Sequence, residues 1–214
     1  MFIIIKFTLK NIRENKLRTF LILLSIILSS ALFFASTAVS TTAEMMIMDQ
    51  VRKYIGNADI VIFAGEQAKS WAISPNLLDN YRGDGVKYTV GMMPGSGEYK
   101  ANGETVQLMI NGINLEDLNK MNPIVLDQQH EIEPFKGNKA IIGKGMAEKY
   151  GIKLGDPIGI NMQGFKKWFI VSGISQPMGP FTEDGQSTYI VVPRETMAEL
   201  YGNKGKVYEL YVGL

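Results

Sequence analysis

The sequence feature that most constrains the fold is a long uncharged stretch near the amino terminus. Residues 19–43 form 25 consecutive uncharged residues between Arg18 and Glu44. A helix needs about 20 predominantly apolar residues to cross about 30 Å of hydrocarbon, at about 1.5 Å per residue. Its serines and threonines do not oppose this, because a helical hydroxyl can bond to the carbonyl one turn earlier. We therefore predict a transmembrane helix over residues 17–39.

The charges that flank this stretch predict its direction. The first 18 residues carry 5 basic and 1 acidic side chains, whereas the rest of the chain carries 17 basic and 20 acidic ones. Basic flanks stay in the cytoplasm, so we expect a single pass of the plasma membrane, with the amino terminus cytoplasmic and the main domain extracytoplasmic. The alternative is a cleaved signal peptide, with residues 36–38 (STA) as the cleavage site. A signal peptide has a short basic region and an apolar run of about 7–15 residues, and both segments are longer here.

The distribution of glycine and proline divides the chain. All 22 glycines and all 8 prolines follow residue 55, and these residues interrupt helices. Residues 1–16 predict a basic amphipathic helix on the cytoplasmic side, a type of helix that lies along membrane lipid. Residues 40–56 predict a stalk helix that continues the membrane helix. Residues 57–214 predict a turn-rich extracytoplasmic domain.

An apolar stripe follows the predicted stalk. Met45, Met48, Val51 and Ile55 repeat every three to four residues, which places them on one face of a helix. We predict that this stripe packs against a second stalk helix or against the domain. Gly56 tolerates the left-handed conformation that ends helices, so we expect the stalk to end there.

The remainder of the chain predicts an α+β fold with a mixed sheet. Short strand-like runs alternate irregularly with short helices. Asn102-Gly103 predicts a hairpin turn, and residues 158–162 and 165–175 predict a second hairpin. Further strands are predicted over residues 86–93 and 98–100, and further short helices over residues 115–121 and 144–150, the second of them closed by Gly151. A short helix is expected from Ser74 to residue 81, because Ser74-Pro75 has the pattern of a helix cap and first turn.

No pattern in the sequence indicates catalysis. Cysteine is absent and histidine occurs once, which excludes thiolate chemistry and argues against a histidine-rich metal site. The balanced charge does not indicate a basic surface for binding nucleic acid. We therefore predict that the protein is not an enzyme and has no cofactor, no metal site and no nucleic-acid partner. Trp71, Met178 and Phe181 are apolar residues in predicted loops, and they are candidate partner contacts if they are exposed and core residues if they are buried.

Three stretches resemble the MacB/FtsX-type permeases of ABC transporters. They are residues 11–19 (NIRENKLRT), which lead into the membrane helix, residues 140–156 (AIIGKGMAEKYGIKLGD), and residues 169–174 (FIVSGI) followed by 189–193 (YIVVP). In order and spacing they are similar to the entry motif, the strand–helix–glycine motif and the later strands of that family. The resemblance implies the MacB periplasmic core domain fold after a membrane helix.

The resemblance also implies a function. Members of this family are homodimeric or paired permeases that work with a cytosolic ATP-binding subunit and relay movement along stalk helices. They handle peptides, antibiotics, lipoproteins or cell-envelope partners. The chain ends before the further membrane helices of the family, which indicates a fragment or a split subunit. The alternative function is a membrane-anchored binding or sensor module that works without an ATPase.

Overall fold

The computed structural model describes residues 6, 10, 12–79, 85–182 and 188–214. The chain divides into two compact units, Met1–Gln50 and Val51–Leu214. Within the predicted amphipathic segment, Lys6, Lys10 and residues 12–14 are helical and residue 15 is not. The other residues of that prediction lie outside the described part.

The longest element is the helix α1, Lys16–Ile55, of 40 residues. Its hydroxyls bond to carbonyls one turn earlier, as the sequence predicts: Ser25 Oγ donates to Leu21 O at 2.9 Å, Ser30 Oγ to Ile26 O at 2.8 Å and Thr37 Oγ1 to Phe33 O at 2.9 Å. These bonds remove the cost of placing hydroxyls in hydrocarbon. Within the described ranges, α1 is the one helix long and apolar enough to cross a membrane.

Nine strands and three further α-helices follow α1 in the described part of the chain. They are, in chain order, β1 (Ile60–Phe63), β2 (Tyr88–Ala101), β3 (Glu104–Gly112), α2 (Leu115–Met121), β4 (Leu126–Gln129), β5 (Lys139–Gly143), α3 (Lys144–Tyr150), β6 (Pro157–Met162), β7 (Phe165–Ser175), a 3₁₀ turn (Gly179–Phe181), β8 (Thr188–Val192), α4 (Arg194–Leu200) and β9 (Glu209–Gly213).

The strand pairings close a ring. The pairs run β2–β3–β8–β5–β7, and β6 joins β7 back to β2. Pairs β3–β8 and β5–β7 are parallel and the other pairs of the ring are antiparallel, so the sheet is mixed. Strands β9 and β1 continue from β2 outside the ring, and β4 lies at the other edge on β7.

Two apolar clusters lie on opposite sides of the strands. The first fills the inside of the ring, because every ring strand contributes alternate side chains to it, and α3 and α4 add Met146 and Met197. The second lies outside the ring, where the cover comes from α2, the 3₁₀ turn and the end of α1. Its strand members are Val90, Met92, Ile141, Val191 and Tyr211.

Both predicted hairpins are present. Asn102 and Gly103 connect β2 to β3 with φ angles of 52° and 82°, and Gln163 and Gly164 connect β6 to β7 with φ angles of 43° and 91°. Two consecutive residues with positive φ are the mark of a type I′ turn, whose twist matches that of the flanking strands. The helix over Lys144–Tyr150 is also as predicted, and Gly151 ends it at φ 65°.

Two local predictions are wrong, and one strand was not predicted. The expected helix after Ser74 is a series of turns over residues 75–78, where Asn76 N donates to Ser74 Oγ at 3.3 Å; residues 80 and 81 of that prediction lie outside the described part. The two strands expected around Pro94 are one strand, β2. Strand β4 has no alternating apolar pattern and was not predicted, because it is an edge strand with mostly exposed side chains.

Candidate functional site at the end of the long helix

The end of α1 is fastened to the domain by backbone contacts with α2. Gly56 has φ 59° and its N–H donates to Arg52 O at 2.8 Å. The next residue, Asn57, donates its N–H to Met121 O at 2.7 Å. A Cβ on Gly56 would collide with that same carbonyl oxygen and lie 2.8 Å from the Cβ of Asn122. The helix therefore ends at this residue, and only glycine fits there.

A buried amide holds the last turn of the helix from the side. Asn122 caps α2, with its N–H donating to Leu118 O at 2.7 Å, and its Nδ2 donates to Lys53 O at 2.6 Å. The last four carbonyls of a helix have no partner within it, and Asn122 donates to one of them. The Asn122 amide also lies against Gly179, at the start of the 3₁₀ turn. One side chain thus connects three segments.

Aromatic rings complete the attachment. The ring of Tyr54, on the last turn of α1, lies 6.3 Å from the ring of Tyr189 on β8 and 6.4 Å from that of Tyr211 on β9. Aromatic pairs at such separations contribute about 0.5–1.5 kcal/mol beyond their buried area. Tyr211 is buried in the second cluster, and its hydroxyl donates to Glu209 Oε2 at 2.6 Å.

The hydroxyl groups of Tyr54 and Tyr211 are both harder to deprotonate than an exposed tyrosine hydroxyl. Burial, followed by the negative charge of Glu209, raises the pKa of Tyr54 far above its ordinary value. Burial is also the main reason that the pKa of Tyr211 is raised, with Tyr54 and Glu209 adding to it. We call this arrangement of Tyr54, Gly56, Asn122 and Tyr211 the helix clamp.

The residues predicted as packing positions along the stalk lie in α1. Met45, Met48 and Val51 have exposed side chains, and Ile55 packs against the second cluster. The predicted contact of this stripe with a second stalk helix stays a prediction. Sequence reasoning missed Tyr54 and Asn122; the signal available for Asn122 was its place immediately after a predicted short helix.

Of the three predicted contact residues, one is exposed and the other two are buried to different degrees. Trp71 is 69% exposed, Met178 is half-buried and Phe181 is 5% exposed. Phe181 belongs to the second cluster, where its ring packs beside Gly143. Phe181 is therefore a core residue, because the 3₁₀ turn directs it under the loop, and it does not provide a surface contact. Contact through Trp71 and Met178 stays a prediction.

The remaining polar features of the described residues include a cavity beside α3. Over residues 6, 10, 12–79, 85–182 and 188–214, no group of three or more His, Asp or Glu side chains is placed to hold a metal ion. A cavity of about 260 Å³ beside α3 is lined by Asp127, Lys144 and Lys153, among others. Lys144 Nζ lies 3.1 Å from Asp127 Oδ2, and a hydrogen bond with this carboxylate raises the pKa of Lys144. The charge of this lysine is thus already balanced.

Comparison with known proteins gives the family. The MacB-like periplasmic core domain matches residues 19–214, so the chain belongs to that family. The resemblance to MacB/FtsX-type ABC-transporter permeases is thereby confirmed, as is the α+β fold class with its long apolar helix and mixed sheet. The protein is thus a membrane-anchored permease component with a domain of extracytoplasmic type. No curated protein matches the sequence.

Solved structures are similar to this chain at low sequence identity. The extracellular domain of the noncanonical ABC-type transporter YknZ from Gram-positive bacteria aligns with a TM-score of 0.50 and 19% identity, over 71% of this chain and 80% of that one. The periplasmic region of MacB from Actinobacillus actinomycetemcomitans gives 0.49 and 12%, over 79% of both chains. A domain of a permease protein from Porphyromonas gingivalis gives 0.48 and 16%, over 68% of this chain and 64% of that one.

Proposed function

We propose that this chain is a mechanotransmission subunit of an ABC transporter. In this proposal a separate cytosolic subunit hydrolyses ATP, and α1 passes the resulting movement to the extracytoplasmic domain. The domain in turn acts on a peptide, an antibiotic, a lipoprotein or another cell-envelope partner. Membership of the MacB-like family supports the transporter class, and YknZ, whose fold is similar, is an ABC-type transporter.

The helix clamp is the observation that carries the proposal. A helix end that only anchored a domain would need no more than a flexible linker, because tethering requires only covalent continuity. Here the last turn is held by a side-chain hydrogen bond from Asn122, a backbone bond from Asn57 and the ring contacts of Tyr54. Bonds from three directions transmit both displacement and rotation of the last turn to the domain.

Partner binding tests the first part of the proposal. Full-length protein purified from its own cells in mild detergent should bring down a subunit that hydrolyses ATP. Purification of the intact protein without any ATP-hydrolysing partner would favour a membrane-anchored binding or sensor module instead.

The clamp has its own test in the assembled transporter. Asn122→Ala removes the hydrogen bond to Lys53 O and should lower ATP-dependent output by about fivefold or more, the lower range of typical coupling energies, while the ATPase subunit still co-purifies. Asn203→Ala is the matched control, because Asn203 Nδ2 also donates to a backbone carbonyl, that of Tyr201 at 2.9 Å, but belongs to the segment between α4 and β9. Equal loss of output in both variants would contradict a coupling role for the clamp.

The orientation of α1 can be tested without background labelling, because the chain has no cysteine. We propose a cytoplasmic amino terminus on the basis of the basic residues before residue 19. In intact cells, a membrane-impermeant maleimide should label Lys136→Cys but not Lys10→Cys. The reverse labelling pattern would exclude this orientation.

A homodimer or a paired permease is the proposed assembly. Exposed apolar side chains on a helix are suited to packing against a second helix, and the stripe of Met45 and Met48 has this character. Oxidation of a Met48→Cys variant in membranes should yield a cross-linked dimer, whereas Ile47→Cys, on a different face of the helix, should yield little. Equal yields would argue against pairing through this stripe.

A further inference from the structure

The outer wall of the β6–β7 hairpin carries an apolar strip that nothing in the described chain covers. Trp168 is 52% exposed and Ile170 is 44% exposed, although both lie on a strand of the ring. Their neighbours Phe169 and Val171 point into the core of the ring. Side chains alternate along a strand, so Lys166, Trp168 and Ile170 share the outer face. Phe165, at the hairpin tip, is 39% exposed on the other face.

The geometry of Trp168 favours contact with a flat surface. Gly159 lies directly opposite Trp168 on β6, and a Cβ there would lie 3.1 Å from the tryptophan ring. Because glycine has no Cβ, the indole ring has room to lie over β6. Lys166 Nζ lies 4.3 Å from the centre of the indole ring, so the ammonium and the ring form one amphipathic unit.

The charge of the hairpin differs from that of the domain around it. Residues 157–175 contain Lys166 and Lys167 and no acidic residue, whereas residues 51–214 as a whole contain 17 basic and 18 acidic residues. The carboxylates of Glu98, on the neighbouring strand β2, and of Asp156, just before β6, keep their charge and are oriented by hydrogen bonds within the domain. Glu98 accepts from Gln107 Nε2 at 3.0 Å and Asp156 accepts from Lys153 N at 2.8 Å.

This chemistry matches that of an anionic lipid surface. Tryptophan prefers the headgroup level of a bilayer, and lysines beside it are drawn to anionic headgroups. The domain is covalently joined to a helix long and apolar enough to cross a membrane, so lipid is the surface present at the highest local concentration. A protein partner would be expected to supply acidic side chains, and nothing in the described chain identifies such a partner.

We propose that the Lys166–Trp168–Ile170 strip docks the domain on the headgroups of an anionic membrane. This docking does not require the ATPase partner. It identifies a second membrane contact, separate from α1.

The two tryptophans of the chain provide the test. In the full chain, Trp71→Phe leaves Trp168 as the sole reporter, and Trp168→Phe leaves the similarly exposed Trp71. Each variant is reconstituted in vesicles of phosphatidylglycerol or of phosphatidylcholine with brominated acyl chains, which quench nearby indoles. For Trp168 we expect quenching and a shift of the fluorescence maximum to shorter wavelength in phosphatidylglycerol vesicles but not in phosphatidylcholine vesicles. For Trp71 we expect neither effect in either lipid.

Charge reversal separates docking from simple proximity. Lys166→Glu with Lys167→Glu should reduce the docked population about fivefold for each lysine removed, and about 0.5 M salt should act in the same direction. Lys204→Glu with Lys206→Glu is the matched control, since it reverses two exposed lysines elsewhere and should leave Trp168 quenching unchanged. Equal quenching of Trp71 and Trp168, or no quenching of Trp168, would overturn the proposal. A Trp168 shift that grows with protein concentration without bromine quenching would assign the strip to a second copy of the chain and overturn it as well.

Discussion

Gly56 illustrates how a single residue determines where the helix clamp forms. Its positive φ is a conformation that costs other residues about 1–3 kcal/mol, and its missing Cβ leaves room for the carbonyl of Met121. The same residue ends α1 and allows α2 to approach it.

Replacing Gly56 should therefore cost more than the conformation alone explains. Gly56→Ala should lower the free energy of unfolding by about 1–3 kcal/mol more than Gly151→Ala, since it adds a steric clash to the strain. Gly151 also follows a helix, has φ 65° and has open space around its Cβ position. Urea denaturation in detergent, followed by circular dichroism, measures both variants. Equal losses would mean that Met121 moves aside freely.

The buried tyrosines of the clamp should make stability depend on alkaline pH. Burial raises the pKa of Tyr54 and of Tyr211 in the folded state above the ordinary value of 10.0. Above pH 10 the unfolded chain loses these protons and the folded chain keeps them, so stability should fall as pH rises, by up to about 1.4 kcal/mol per pH unit for each group. Below pH 10 these two groups should contribute no slope.

The Tyr54→Phe variant isolates this effect. Its denaturation midpoint should fall less steeply than that of the natural chain between pH 10 and pH 11.5, because phenylalanine has no proton to lose. Identical slopes in the two proteins would show that Tyr54 is solvated in the folded state.

At the scale of the element, α1 combines two environments in one helix. Its serine and threonine hydroxyls donate to backbone carbonyls of the same helix, so the apolar section needs no polar partner outside itself. Its last turn, in contrast, depends on partners from the domain, Asn122 and Met121. The first section is suited to lipid and the last to a packed interface.

A charge in the apolar section of α1 should prevent insertion. Leu23→Lys and Ile27→Lys each place a lysine near the centre of the predicted span, at a cost of about 2.5–3.5 kcal/mol on insertion scales. Both variants should move from the membrane fraction to the soluble or aggregated fraction. Val39→Lys, at the end of the span, is the matched control and should remain in the membrane. Normal membrane fractionation of all three would contradict the span.

At the scale of the whole molecule, the ring of strands has two narrow seams, β5–β8 and β6–β2, with two residue pairs each. Strand β6 meets β2 through only two residue pairs, Glu98–Asn161 and Tyr99–Ile160. Gly97 lies beside this seam, and a Cβ on it would come within 2.7 Å of Ile160 and 2.9 Å of Asn161 O. The missing side chain allows β6 to approach β2 and closes the ring around the first core cluster.

Widening the seam should loosen the whole ring. Gly97→Ala should lower the free energy of unfolding by about 1–3 kcal/mol, the usual cost of forcing an extra carbon into a packed site. Hydrogen exchange should increase at the amides of β6. Ser96→Ala, at the exposed neighbouring position of the same strand, should stay within about 0.5 kcal/mol of the natural chain. Unchanged exchange at β6 in Gly97→Ala would show that the seam contributes little to the closed ring.

Several elements were determined by the sequence alone, because their causes are local. The uncharged run produces α1, Asn102-Gly103 and Gln163-Gly164 produce the two hairpins, and Gly151 ends α3. In each case neighbouring residues supply both the conformational preference and the hydrogen-bond partner. No distant contact is needed for the prediction.

Other features were decided by tertiary structure, because their causes lie far apart in the chain. Asn122 bonds to Lys53 across 69 residues, and neither residue carries a local pattern that indicates the other. Phe181 stands in a glycine- and proline-rich loop that sequence reasoning leaves open to either role, and the 3₁₀ turn buries it. Local preference determines elements one at a time, whereas the ring and the helix clamp depend on which surfaces meet after the chain has folded.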